Sequence, residues 1–314
     1  MSLAHHCRVY AAGVVMLVAA AQELPSIRVD VNVVSVLCSV RDRRGALVTH
    51  LNQDDFVVLE EGQPQTIRHF AQETGLPLTV GLLVDTSNSQ VHLVNAERRA
   101  AAQFFSQVIR PKDTAFLLSF DAAVELLMPL ANSARSIKAG LERLSDNSPH
   151  IRNRGGIGRP GGTKLYDAVI RASTSELPKE SGRKAIILIT DGVDVGSKSH
   201  IADAIDAAQK ADAIVYSIYY VDPKAYGAPT RMIQPGQIVL QEMSEQTGGR
   251  FFRVDRQNSL NKIFDAIQLE MRSQYALEFV SSDDTRDGRY RRLEVLLRDP
   301  SLQAQARKGY YAVR

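Results

Sequence analysis

The chain has 314 residues, 44% hydrophobic and 23% charged, with 38 Lys and Arg against 35 Asp and Glu for a net charge of +3. This length and composition fit a globular protein of one large or two modest domains and exclude a low-complexity or disordered chain. A nearly balanced charge without a long basic run excludes nucleic acid as a partner, because phosphate binding needs a concentrated Lys/Arg stripe.

The first 21 residues stand apart. Arg8 precedes the uncharged apolar run 9–21, which ends in Ala19-Ala20-Ala21. A basic start, a short apolar stretch and small residues at its end predict a secretory signal peptide over 1–21, cleaved before Gln22. The run is short for a bilayer span, so no stable membrane span is expected after cleavage, and the expected location is secreted or periplasmic. An uncleaved anchor or a buried first helix is the alternative. Cleavage removes Arg8 and lowers the net charge to +2. It also removes Cys7, leaving Cys38 as the single thiol, so no internal disulfide is expected. Cys38 lies in an apolar strand pattern and is expected in the core.

Residues 22–75 have the period of β-structure. Ile27, Val29, Val31 and Val33 alternate with polar residues, and the alternation then resumes one residue later at Val34, Val36, Cys38 and Val40. A slip of one residue reverses the buried face, so a bulge, bend or crossing between sheets is expected near Val34. Turns are expected at 42–45 and 61–62, with strands over 56–60 and 66–70.

From residue 76 strands and helices alternate. Residues 76–84 form an almost unbroken apolar run, as in a strand buried on both faces. Helix spacing follows over 94–108, strands over 114–120 and 124–129, and a helix over 133–144. A Gly-rich loop (155–162) leads to a helix from Thr163 to Ala172. Next come a strand (185–190), a helix (201–211), a strand (213–221) and helices over 239–247 and 260–272. Such alternation predicts a doubly wound, mainly parallel α/β sheet with helices on both faces.

After Ser273 the period returns to two. The segments 22–75 and 273–314 each have too few strands to fold alone. They are expected to pair into one β-sandwich, with the α/β domain of 76–272 inserted between them.

Open α/β sheets bind ligands at the carboxyl ends of their strands. There the chain places Asp85, followed by Ser87 and Ser89; Asp191-Gly192, after the strand 185–190; and Thr163, where the Gly-rich loop meets a helix. Singly, each has a plain structural reading. Ser87, Asn88 or Ser89 suits a helix cap, Thr163 another, and Asp191-Gly192 a turn. Together they supply carboxylates and hydroxyls without His or Cys, a donor set for Mg²⁺, Mn²⁺ or Ca²⁺ rather than Zn²⁺.

The series Asp85-x-Ser87-x-Ser89, Thr163 and Thr190-Asp191-Gly192 resembles the metal-ion-dependent adhesion site of the von Willebrand factor type A domain. The resemblance spans about residues 76–272. It implies that the strands bearing Asp85 and Asp191 are neighbours at the sheet's switch point. It also implies that Ser87, Ser89 and Thr163 bind the metal directly or through one water, while Asp85 and Asp191 act more often through water. Asn88 stands where the family usually has Gly, and Gln90 where Met is common. The flanks, through Asp54-Asp55-Phe56, Glu60-Glu61-Gly62-x-Pro64-Gln65 and Ala306-Arg307-Lys308-Gly309-Tyr310-Tyr311, resemble secreted bacterial VWFA-related proteins described mainly from acidobacteria.

The expected function is therefore an adhesion module, not an enzyme, in which the cation captures an Asp or Glu carboxylate of a protein partner. A metal-dependent hydrolase is the rival reading, with Asp85 as nucleophile or ligand and His92 or His200 as base. A structural module with an empty site is the third. Gly156-x-Gly158-x-x-Gly161 matches a dinucleotide-binding pattern by letter, but it follows no strand, and no P-loop sequence occurs; no nucleotide is expected.

Overall fold

A computed structural model of the protein describes residues 33–72, 75–146, 162–222 and 233–312. The expected signal peptide, the alternation at 27–31 and most of the Gly-rich loop lie outside the described residues. Valine-rich alternation forms β1 (Val33–Arg41), with Val34, Val36, Cys38 and Val40 buried. No bulge follows from the change of phase: β1 keeps a regular antiparallel register from Val33 onward. A 3-10 turn at Gln53–Asp55 leads into β2 (Phe56–Glu60), which folds back on β3 (Gln63–Gln65). The turn between them carries positive φ at both Glu61 (48°) and Gly62 (78°), the left-handed pair that closes a tight hairpin. β4 (Ile67–Gln72) follows.

β5 (Leu78–Asp85) is buried at every position. After it come α1 (Val94–Val108), β6 (Thr114–Phe120), β7 (Val124–Ala131), α2 (Ala134–Asp146) and α3 (Leu165–Arg171), the last continued by a wider turn at Ala172–Glu176. Then follow β8 (Arg183–Thr190), α4 (Ile201–Lys210), β9 (Ala213–Tyr219), α5 (Ile233–Thr247), β10 (Phe251–Arg253) and α6 (Leu260–Met271). The strands form one six-stranded sheet in the order β10-β9-β8-β5-β6-β7, parallel except for the edge strand β7. One face is covered by α1, α2 and α6 and the other by α3, α4 and α5, so each apolar strand is buried twice. β5 lies between β8 and β6, where the winding direction reverses.

Two elements depart from the expected pattern. β10 is a three-residue addition beside β9, too short for periodicity to reveal. α5 begins at Ile233, ahead of the expected 239, and includes Pro235 and Gly236 in its first turn. Proline is tolerated there because the first N–H groups of a helix have no partner within it.

β11 (Tyr275–Val280), β12 (Tyr290–Leu297), β13 (Gln303–Ala306) and β14 (Gly309–Tyr311) return to the N-terminal strands. They complete two four-stranded sheets, β13-β1-β11-β4 and β14-β12-β2-β3. The sheets share one core that includes Val36, Cys38, Phe56, Val58, Leu277, Phe279 and Leu293. Both terminal segments therefore build the sandwich around the inserted α/β sheet. A buried polar group crosses it: Glu60 on β2 accepts from Tyr310 (2.5 Å) on β14 and from Ser281 (2.6 Å), beside Arg291 on β12. Among the described residues, no helix is long and apolar enough to cross a membrane.

Candidate functional site

Asp85 ends β5 and Thr190 ends β8, two neighbouring parallel strands, and this adjacency closes a gap of about a hundred residues in sequence. The Asp85 carboxyl is buried, accepting from Thr190 Oγ1 (2.6 Å) and from the Ser87 backbone N–H (2.9 Å). Ser87 Oγ lies 3.1 Å from Ser89 Oγ, and Ser89 Oγ donates to Asp191 Oδ2 at 2.7 Å. Ser87, Ser89 and Asp191 thus form one hydrogen-bonded chain of oxygens, which the Ser87 backbone N–H ties to Asp85.

Thr163 is paired through its backbone with the loop that follows Asp191, not with the other four site residues. Its N–H donates to Val195 O (2.8 Å) and its carbonyl accepts from Val195 N–H (2.9 Å), while Lys164 N–H donates to Asp121 O beyond β6. Gly162 permits this approach, because a Cβ there would lie 3.1 Å from Val195 O and 3.2 Å from Ala122 Cα. The loops after β5, β6 and β8 therefore meet at one end of the sheet.

Charge accumulates at this meeting point. Burial, and then the negative charge of Asp191, push the Asp85 carboxyl up to about 7, against the pull of hydrogen bonds from Thr190 and Ser87. Below, Glu97 on α1 is fully buried, and burial together with the charge of Asp85 holds it well above the usual carboxylate range. The donor set consists of hard oxygens drawn together under mutual repulsion, so the residues fit a divalent cation. Among the described residues, no group of three or more His, Cys, Asp or Glu side chains forms a metal cluster. Here two carboxylates are accompanied by hydroxyls instead.

Three contributors were not assigned a role from sequence. Thr190 bonds Asp85 and also accepts from Gly192 N–H at 3.1 Å. Gln90 is buried and donates through Nε2 to Asp191 Oδ2 (3.1 Å) and to Tyr220 O (3.1 Å), so it orients the carboxylate where Met would only fill space. Gly236 brings the first turn of α5 against the Asp191 loop: a Cβ on Gly192 would lie 2.3 Å from Gly236 O, and one on Gly236 would lie 2.3 Å from Asp191 O. Asn88 is exposed and has no left-handed backbone; among the described non-glycine residues only Glu61 and Asp212 have positive φ. His92 and His200 are both exposed, and neither imidazole hydrogen-bonds a site residue among the described contacts.

Gly192 has φ +77°, so Gly192→Ala combines left-handed strain with a backbone clash. Its expected cost is about 3 kcal/mol in urea unfolding. Gly196→Ala, at φ +98° with nothing near its Cβ, is expected to cost only about 1 kcal/mol. Equal losses would show that contact with α5 does not matter.

The family model described as von Willebrand factor type A domain matches residues 80–194, a span containing all five site residues. No curated protein matches. Among solved structures, the chain is similar to an aerotolerance-related membrane protein from Bacteroides fragilis, at 20% identity over 62% of this chain and 98% of that one, with TM-score 0.47. It is similar to BatB from Bacteroides thetaiotaomicron at 23% identity over 62% and 97%, TM-score 0.46. It is similar to the vWF domain of the type V pili tip protein Mfa5 from Porphyromonas gingivalis at 11% identity over 62% and 95%, TM-score 0.47. Over residues 80–194, the span that holds all five site residues, the chain is therefore similar to the von Willebrand factor type A domain.

Proposed function

We propose that the protein is an extracytoplasmic binding module that holds a divalent cation, Mg²⁺ or else Mn²⁺ or Ca²⁺, through Asp85, Ser87, Ser89, Thr163 and Asp191. The observation that carries this reading is the oxygen chain Ser87–Ser89–Asp191 beside the buried Asp85 carboxyl, which burial first and the charge of Asp191 second push up. Two carboxylates balance a divalent charge, and neutral hydroxyls leave the cation electrophilic enough to accept a carboxylate from a partner protein. Thr190 and the Ser87 N–H hold Asp85, while Gln90 holds Asp191, so both acids are oriented before any ligand arrives. Binding is favoured over hydrolysis because His92 and His200 are exposed and, among the described residues, neither hydrogen-bonds a site oxygen where it could serve as base.

Calorimetry with MgCl₂ or MnCl₂ tests the reading. One cation per chain is expected, with affinity lost in Ser87→Ala and Thr163→Ala while circular dichroism remains unchanged. No binding at millimolar cation would defeat it, leaving a structural module. Metal-dependent phosphatase or esterase turnover abolished by Asp85→Ala would favour the hydrolase instead. For the partner, capture from the extracytoplasmic fraction in Mg²⁺ and release by EDTA are expected.

A further inference from the structure

α3 begins without a cap of its own. Its N-cap residue is Lys164, whose side chain makes no capping hydrogen bond. The exposed N–H groups are met instead by a distant loop. Asp194 Oδ1 accepts from Leu165 N–H (2.9 Å) and Tyr166 N–H (3.4 Å), and Ser197 Oγ accepts from Asp167 N–H (3.2 Å). The exchange is reciprocal, because the Asp167 carboxylate accepts from Lys198 N–H at 3.1 and 3.2 Å. Ser197 Oγ also donates to Asp194 Oδ1 at 2.6 Å, and Ser197 N–H donates to Oδ2 at 3.3 Å.

Two consequences follow. Asp194 stands three residues after Asp191 on the same loop, and the helix it caps starts two residues after Thr163. The paired backbone bonds between Thr163 and Val195 lie inside this frame. The Asp194 carboxylate is also already committed, with Oδ1 taking three donors and Oδ2 one, so it is engaged in holding backbone rather than offered to a ligand.

From this geometry we infer that Asp194 is the positioning residue that sets Thr163 against Asp191, and that cation affinity depends on it although it does not touch the cation. The inference rests on the metal-binding reading of the site. It makes the Asp194 side chain the anchor of the contact between the loop of Asp191 and the start of α3, a contact that the Thr163–Val195 backbone pair shares. Groups that orient metal ligands without binding metal typically change affinity about 10- to 100-fold when removed.

The test must separate positioning from helix stability. Calorimetric titration with MnCl₂, and thermal unfolding without metal, are run on the full chain as wild type, Asp194→Ala, Asp194→Asn and the double variant Asp194→Ala/Lys164→Ser. Asp194→Ala is expected to lose about 10- to 100-fold in affinity. Asp194→Asn keeps the Oδ1 acceptor and is expected to retain most of it. Ser at position 164 supplies α3 with a local cap. The double variant should therefore regain unfolding temperature but not affinity. Affinity regained with the cap, or undiminished in Asp194→Ala, overturns the inference while leaving the metal site intact. Failure of the wild type to bind any cation overturns the metal-binding reading, and this inference with it.

Discussion

Glu270→Ala is expected to lower the unfolding free energy by about 3 kcal/mol or more, among the largest losses available from a single side chain outside the apolar cores. Glu270 lies near the end of α6 with no solvent exposure. Its Oε2 receives Arg41 of β1 at 2.5 Å and Arg250 at 3.3 Å, and its Oε1 receives Ser39 of β1 at 3.3 Å. Removing the carboxylate strands two cations that were placed to meet it. The Arg41 side chain is 17% exposed and the Arg250 side chain 32%, so both can recover some hydration, which puts the loss near the lower end for a broken buried pair. Glu270→Gln keeps the shape and one acceptor, and should cost roughly half as much. Urea denaturation at unchanged m-value checks both. A loss below about 1 kcal/mol in the alanine variant would mean that the arginines rehydrate freely and the contact is no better than a surface pair.

This contact matters because it ties the sandwich to the α/β sheet. Arg272 at the end of α6 bonds Val108 O (2.6 Å) and Asp113 (2.8 Å), and Arg183 bonds Met271 O. None of these partners could be read from periodicity. The Arg41–Glu270 and Arg272–Asp113 pairs join residues more than a hundred positions apart, and they depend on which faces the sheets turn toward one another.

The patterns that could be read were the local ones. Residues 76–84 and 185–190 are apolar at successive positions because strands at the centre of a doubly covered sheet meet hydrophobic layers on both sides, and β5 and β8 occupy those places. Too few strands in either terminal segment argued for a shared sandwich, and β1 does pair with β11 and β13. Of the bulge, bend or crossing expected near Val34, a bulge is not present from Val33 onward, where β1 pairs in regular register, and the residues before Val33 lie outside the described residues. At the site, the neighbourhood of Asp85, Ser87, Ser89 and Asp191 could be read because they follow the ends of two adjacent strands. The significance of Gln90 could not. Asn88 and Gln90 were equal departures by letter, yet Asn88 is exposed with an ordinary backbone, whereas Gln90 is buried and bonded to Asp191. A side chain's hydrogen-bond partners are a tertiary fact. The neighbour that Gly236 provides for Gly192 is another, in a first helical turn that lies ahead of the expected start at 239.

Without a divalent cation, stability is expected to fall as pH rises from the ordinary Asp value of 3.8 toward about 7, because burial and Asp191 raise Asp85 in the folded chain. The sign follows from proton counting. Across that window the folded state holds a proton that the unfolded chain has released, so its contribution is full below 3.8 and is lost as pH passes through about 7. A shift of this size corresponds to a loss on the order of 4 kcal/mol. Glu97 is raised by burial and by Asp85, and adds a slope of the same sign. The carboxylates held low, Glu61, Asp255, Asp283 and Asp299, act in the opposite sense but below their ordinary values. Saturating Mg²⁺ favours the ionised Asp85, so the cation's gain in unfolding temperature should be small near pH 4 and should grow until about pH 7. Glu97→Gln removes the Glu97 slope, isolating the part that responds to cation. A gain in unfolding temperature equal at pH 5 and pH 8 would mean that the cation does not meet Asp85 in the fully buried, acid-crowded position where the fold holds it.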